Sequence, residues 1–226
     1  MSYACLILGE SGTGKTCSLR NLDPKNTLLI QPVRKPLPFR STGWKEIKAK
    51  GDGNNILVCS NPQAIINCMK ASPFDVIVVD DFQYILLSLY MNRRSEKSYE
   101  KFSELAGVGY DVVRAASELE NNKRVYILGH TTTDDYGRVH LKTIGKMLDS
   151  VVVLEGFFTT VLRAQVDPAA GRFYFSTRND GHDTVKAPVG MFEAAEIDND
   201  LALVDEIACN YWGIPQAEEK QANEET

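Results

Sequence analysis

Two short stretches of this sequence carry residue types at spacings suited to phosphate chemistry. Gly9-Glu10-Ser11-Gly12-Thr13-Gly14-Lys15-Thr16 fits the pattern G-x-x-x-x-G-K-[ST], directly after the apolar run 3–8 and directly before a helix-like stretch at 14–22. Glycines so placed let successive backbone N–H groups turn inward onto phosphate oxygens, with the positive end of the helix behind them. Lys15 is then expected to reach the β- and γ-phosphates of a nucleoside triphosphate as a point charge, and the Thr16 hydroxyl to complete the shell of a Mg²⁺ ion. Cys17 adjoins the same loop. The second stretch, "FDVIVVDDFQYI", reads as an apolar strand ending in Asp80 and Asp81. Asp80 ends the run Val76 to Val79 and is the expected metal-associated carboxylate, while Asp81 can orient an attacking water. The plainer alternative is that the paired acids cap a following helix. "VYILGH" brings His130 to the carboxyl end of a strand, the edge where α/β folds bind ligands, so His130 is a candidate γ-phosphate sensor; a satisfied packing histidine is the alternative.

Such groups need a scaffold that lines up strand ends, and the rest of the sequence supplies one. Short β-branched or apolar runs alternate with helix-like segments, the signature of an α/β fold with a mostly parallel sheet. Strands are expected at 3–8, 26–31, 55–60, 75–80, 124–129 and 150–156, followed by an antiparallel hairpin of 160–167 and 172–179 around "PAAG". Helices are expected at 14–22, 62–71, 99–122 and 198–212. Two stretches read as long irregular loops of the functional kind, 32–54 with its three prolines and 131–150.

Composition excludes several classes. The 226 residues suffice for one sizeable core, no apolar run is long enough to span a bilayer, and no secretory leader is visible, so a cytoplasmic protein with no membrane contact is expected. Five cysteines without a CxxC pair point to reduced thiols rather than disulfides or a metal cluster. A net charge of −5 argues against a surface coated in basic residues for duplex DNA, yet leaves room for a local basic groove.

The combination "GESGTGKT…NLDP", "KPLPF", "VIVVDDFQY", "GHTTTDDYGRVHLKTIGKMLDSVVVLEGFFTTVLR" and "NDGHDTVKAPVGMF" resembles, over nearly the whole chain, phage AAA-family P-loop ATPases with a RecA-like core that include the Sak-type single-strand annealing proteins. The resemblance implies a RecA-like ATPase domain over 1–215, and the acid-rich composition of 216–226 reads as a disordered, solvated tail. It further implies ATP and Mg²⁺ as cofactors, single-stranded DNA as partner, a single-strand-binding protein as a further partner, and homo-oligomers on DNA that support annealing or strand pairing in phage recombination. Its two DNA-facing loops correspond to "NRRSEKSYEK", with Arg93, Arg94, Lys97 and Lys101, and to 131–148, with Arg138, His140, Lys142 and Lys146. Tyr99, Phe102 and Tyr136 are nearby stacking candidates. Lys186, and after it Arg178, correspond to basic residues that reach a neighbouring subunit's nucleotide, the alternative being a hydrogen-bonded surface turn of Asn179, Asp180 and His182.

Two departures from the family pattern stand out. Gln31 occupies the strand end where recombinases carry a water-activating glutamate, which implies slow turnover or a substitute role for Asp81. The chain also starts directly on its first strand, so the N-terminal segment that links RecA-type filaments is expected to be missing, leaving ring, filament and monomer as alternatives. A helicase-loader-like accessory ATPase, a nucleotide-gated DNA-binding module with negligible turnover and, more remotely, a DNA-independent signalling ATPase are the rival readings.

Overall fold

The structure is a computed structural model that describes residues 2–97, 100–120, 122–144 and 153–215. The acidic tail at 216–226, Tyr99 and Lys146 lie outside the described residues. Among the described residues the strands are β1 (Tyr3–Gly9), β2 (Thr27–Gln31), β3 (Ile56–Val58), β4 (Val76–Val79), β5 (Arg124–Thr133), β6 (Val139–Leu141), β7 (Thr160–Asp167), β8 (Arg172–Ser176) and β9 (Glu196–Asp198). They form a mixed sheet in the order β3-β2-β4-β5-β1-β7-β8-β9, with β6 paired to the far end of β5. The six strands from β3 to β7 in that order are parallel to their neighbours, and β8 and β9 add antiparallel to β7. The expected α/β architecture with a C-terminal antiparallel group is therefore observed.

Strand pleat explains the two layers that cover this sheet, because alternate side chains point to opposite faces. Leu6 and Leu8 of β1 face one core with Ile65, Met69 and Val112, from α1 (Pro62–Ala71) and α3 (Glu100–Ser117). Cys5 and Ile7 face the other with Leu19, Leu201 and Val204, the last two from α4 (Leu201–Trp212). Parallel strands buried on both sides read as continuous apolar runs, which is why they stood out in the sequence. The α1 helix begins on an Asn61 cap that accepts from Ala64 N at 2.9 Å, with Pro62 at its first turn.

Four elements depart from expectation. The stretch after the glycine loop is only a 3-10 helix, Thr16–Asn21. Ser18 N bonds both Gly14 O and Lys15 O, and the chain leaves the helix at an extended Leu22 that packs into the core. A helix this short carries a smaller terminal field than the full one expected. The 150–156 strand is not observed in its described part: Leu154–Phe157 is a 3-10 turn, because β7 takes the place beside β1 and Leu154 turns into the helix layer beside Gly109 of α3. Residues 150–152 of that expectation lie outside the described residues. An unexpected helix, α2 (Gln83–Asn92), follows the paired acids. The 131–150 stretch is not irregular throughout, since β5 runs on to Thr133 and turns back as β6 in an antiparallel hairpin. The 32–54 segment is irregular as expected, and Trp44, edge-on to Phe39, anchors it to the second core.

Candidate functional site

The chemistry-bearing residues meet at the carboxyl edge of the parallel strands. β5 lies between β1 and β4, so Gly9 at the end of β1 sits in register with His130 on β5, and Asp80 follows β4 one strand further along. The loop from Gly9 to Thr16 curls over this edge. Gly12 and Gly14 hold φ of 84° and 85°, a region where side chains are strained, and these two turns give the loop its curl. A Cβ at Gly9 would meet Thr13 Oγ1 at 2.5 Å and the backbone oxygen of Ala164 at 3.0 Å, so the loop packs too tightly for any larger residue there. Ser11 and Gly12, at its crest, are exposed, and Cys17 is half-buried behind it.

Lys15 is only 6% exposed, folded under the loop, where its Nζ donates to Gly9 O and Glu10 O at 2.7 Å each. Burial lowers its pKa to about 8, against the opposing pull of Asp81 and Asp80. A phosphate beside that ammonium would raise the value again toward the ordinary one. A nucleotide held here with Mg²⁺ would bind with level affinity only between about pH 6, below which the Asp80 carboxylate protonates, and about pH 8, above which affinity should fall by up to about tenfold per pH unit as Lys15 loses its proton. Titrations at pH 7 and pH 9 in matched buffers check this; equal affinities would contradict it.

Thr16 and Asp80, 64 positions apart in the chain, are in direct contact: the Thr16 hydroxyl donates to Asp80 Oδ1 at 3.0 Å, with Oδ2 at 3.1 Å. Asp80 is 3% exposed, and burial, reinforced by the neighbouring Asp81 carboxylate, raises its pKa to about 6 despite the Thr16 hydrogen bond. A hydroxyl and one carboxylate so paired suit Mg²⁺, which keeps several waters and takes its remaining ligands from substrate phosphates rather than from an all-protein cage. Among the described residues there is no cluster of three His, Cys, Asp or Glu that would make such a cage.

Asp81 faces the other way. Its φ of 58° is left-handed, a strained conformation for a non-glycine residue, and it turns the carboxylate toward two cationic or titratable partners. Its Oδ1 lies 3.1 Å from His130 Nε2, and its Oδ2 is paired with Lys35 Nζ. Burial pushes the Asp81 pKa up, but hydrogen bonds from His130 and Lys35 outweigh it and hold the carboxyl well below the usual range. Neither acid caps α2, which has no side-chain cap, so the capping alternative does not describe these residues. Gln83, at the start of α2, accepts from His130 N at 3.2 Å and leaves its Nε2 buried without a protein partner. Gln31 is buried at the end of β2, its Nε2 donating to Lys35 O at 3.4 Å.

Gln83, and the contacts of Lys35 to Asp81 and Gln31, carry no sequence signal; the basic residues Arg34, Lys35 and Arg40 mark the 32–54 loop but leave its target open. Lys35 lies 46 positions from Asp81 in an irregular proline-flanked loop, where no local pattern marks a partner. A further unsignalled residue is Glu155, whose buried Oε1 accepts from Leu141 N at 2.8 Å and ties down the β5–β6 hairpin.

The two expected basic loops differ. In the first, Arg93 is bound by Glu96 at 2.7 Å and by Glu104, while Lys101 is buried, donating to Arg93 O and Glu96 O. Lys101 is thus a local scaffold residue, and Arg94 and Lys97 are exposed. In the second, the β5–β6 hairpin carries Tyr136 at its tip, 94% exposed, with exposed Arg138 and Lys142 and half-buried His140 along its second strand and just beyond. Asp134 shapes the tip by accepting from Tyr136 N and Arg138 N. The hairpin grows from the site itself, since His130 O accepts from Lys142 N at 2.7 Å. Lys186 is exposed, its backbone paired with Val161 of β7, and Arg178 donates to Glu193 O. Asn179 and Asp180 build the hydrogen-bonded turn that was the plainer reading of this strip.

No family model matches this chain, and no curated protein matches it either. Among the described residues no helix is long and apolar enough to cross a membrane.

Proposed function

We propose that this protein is a Mg²⁺-dependent P-loop ATPase with a RecA-like core that acts on single-stranded DNA. The observation that carries the reading is the contact of Thr16 with Asp80 beneath a glycine loop whose lysine is buried and poised, with the His130 strand between the two motifs. The loop's N–H groups and Lys15 would hold the β- and γ-phosphates, and Thr16 and Asp80 would hold the metal. A bound Mg²⁺ supplies neutralisation of the charge shared by the β- and γ-phosphates. Asp81, kept ionised, accepts hydrogen bonds and so can orient a water toward the γ-phosphate, while His130 reports phosphate occupancy to the hairpin through its backbone.

The DNA part rests on the hairpin. An exposed tyrosine among cations combines a stacking face with phosphate attraction, the pairing that single-strand binding uses. The role in phage annealing or strand pairing, with homo-oligomers on DNA and a single-strand-binding protein as partner, rests on the sequence resemblance. A second reading, a nucleotide-gated DNA-binding module with little turnover, is favoured by Gln31: β2 ends in an amide occupied with Lys35 O, which is no base.

Fluorescence anisotropy of a labelled single-stranded oligonucleotide with MgATP, MgADP and no nucleotide tests the DNA claim. Nucleotide-dependent binding is expected, weakening with salt, and Tyr136→Ala should lower affinity by about tenfold or more, the scale of one lost base stack. Absence of binding at low salt in every nucleotide state would overturn it in favour of an ATPase that serves a partner protein.

A further inference from the structure

Lys35 occupies a position that the proposed ATPase chemistry has not used. Its ammonium is paired with Asp81 Oδ2 and lies 5.0 Å from the centroid of the Tyr84 ring, against the carboxylates at the mouth of the loop. Its side chain is 42% exposed, so the group sits at the boundary between site and solvent. Charge coupling runs from Lys35 to both Lys15 and Asp80, which places it within electrostatic reach of the metal and phosphate positions.

The backbone beneath it is held. Lys35 O accepts from Gln31 Nε2, and Pro36 immediately after confines Lys35 to extended conformations. Arg34 next to it is committed elsewhere, to Glu46 at 2.6 Å. With the backbone held, the flexible four-carbon stem can swing the ammonium between anions within its radius. Among the described residues the acid in direct contact with it is Asp81. A terminal phosphate would present a second and more highly charged anion beside it.

We propose that Lys35 is a phosphate-sensing cation supplied in cis, which exchanges Asp81 for the terminal phosphate of bound ATP and so selects the triphosphate over the diphosphate. This inference rests on the ATP reading of the site. The exchange has two consequences. It neutralises charge on the phosphoryl oxygens, the service that charged fingers from neighbouring subunits perform elsewhere. It also frees one Asp81 oxygen to accept from a water, so the same movement that recognises ATP prepares the water-orienting carboxylate.

The test is the ratio of affinities for a non-hydrolysable β,γ-imido ATP analogue and for ADP, each with Mg²⁺, measured calorimetrically on the native chain, Lys35→Met and Lys35→Arg. Lys35→Met should weaken the analogue by about tenfold or more and leave ADP within about twofold, because a charge-assisted phosphate contact is lost from one ligand only. Lys35→Arg, which keeps the charge, should retain most of the preference. A merely structural partner of Asp81 would shift both ligands together or neither, and either result overturns the inference while the ATP reading stands. If the native chain binds neither ligand, the ATP reading itself fails and the inference with it.

Discussion

Lys15→Ala is expected to weaken MgATP binding by about a hundredfold or more, because it removes charge-assisted contacts together worth about 3 kcal/mol. The fold should not suffer in proportion. The Lys15 ammonium is buried at a cost that its lowered pKa registers, and its two hydrogen bonds go to loop carbonyls rather than to core elements. Calorimetric titration gives the affinity and thermal unfolding without nucleotide gives the stability. A variant that binds ATP like the native chain would show that the glycine loop is an ordinary turn.

Asp80→Asn is expected to separate stability from turnover. The amide oxygen still accepts from Thr16, so the geometry is kept while the charge is lost. Burial raises the native Asp80 pKa to about 6 from an ordinary carboxylate value, so the folded chain carries a penalty that is absent in acid and complete above pH 6. Removing that charge should raise stability at neutral pH, by on the order of 2 kcal/mol, when measured with EDTA and no nucleotide. Mg²⁺-dependent hydrolysis should fall by about a hundredfold or more, the scale of losing one electrostatic anchor. A less stable variant with unchanged turnover would contradict the metal assignment.

These two sites were legible in sequence because each is local. A glycine loop is written in consecutive residues, and a buried parallel strand ending in acids contrasts sharply with its own apolar run. The strand pair around "PAAG" was equally local, and β7 has the expected bounds, 160–167. What the sequence obscured depended on distant partners. The 3-10 helix ends where Arg20 and Asn21 are taken by Asn199 O and Asp200, at 2.5 and 2.6 Å, from the segment that precedes α4. The α2 sequence "QYILLSLYMN" is apolar on nearly every side, so no helical stripe marks it. The hairpin did carry a signal, three threonines before an Asp-Asp-Tyr-Gly turn and an apolar-polar-apolar return, but it was masked by the expectation of an irregular loop. The pairing of Lys35 with Asp81 had none.

The two basic loops teach the same point about charge. Arg93, Arg94, Lys97 and Lys101 look alike in the sequence, yet Arg93 is held by two glutamates and Lys101 lies under Tyr90 and Phe102, so half of that cluster is structural. Counting basic residues overstates an electrostatic surface whenever acids stand one turn away. Tyr136 and Arg138 on the hairpin thus carry more of the DNA proposal than the first loop does.

The measurement closest to the central claim is a calorimetric titration of ATP into the native chain with Mg²⁺ and again with EDTA. One site per chain is expected, with affinity that depends on Mg²⁺ through Thr16 and Asp80. No binding at millimolar ATP, or binding indifferent to the metal, would contradict it.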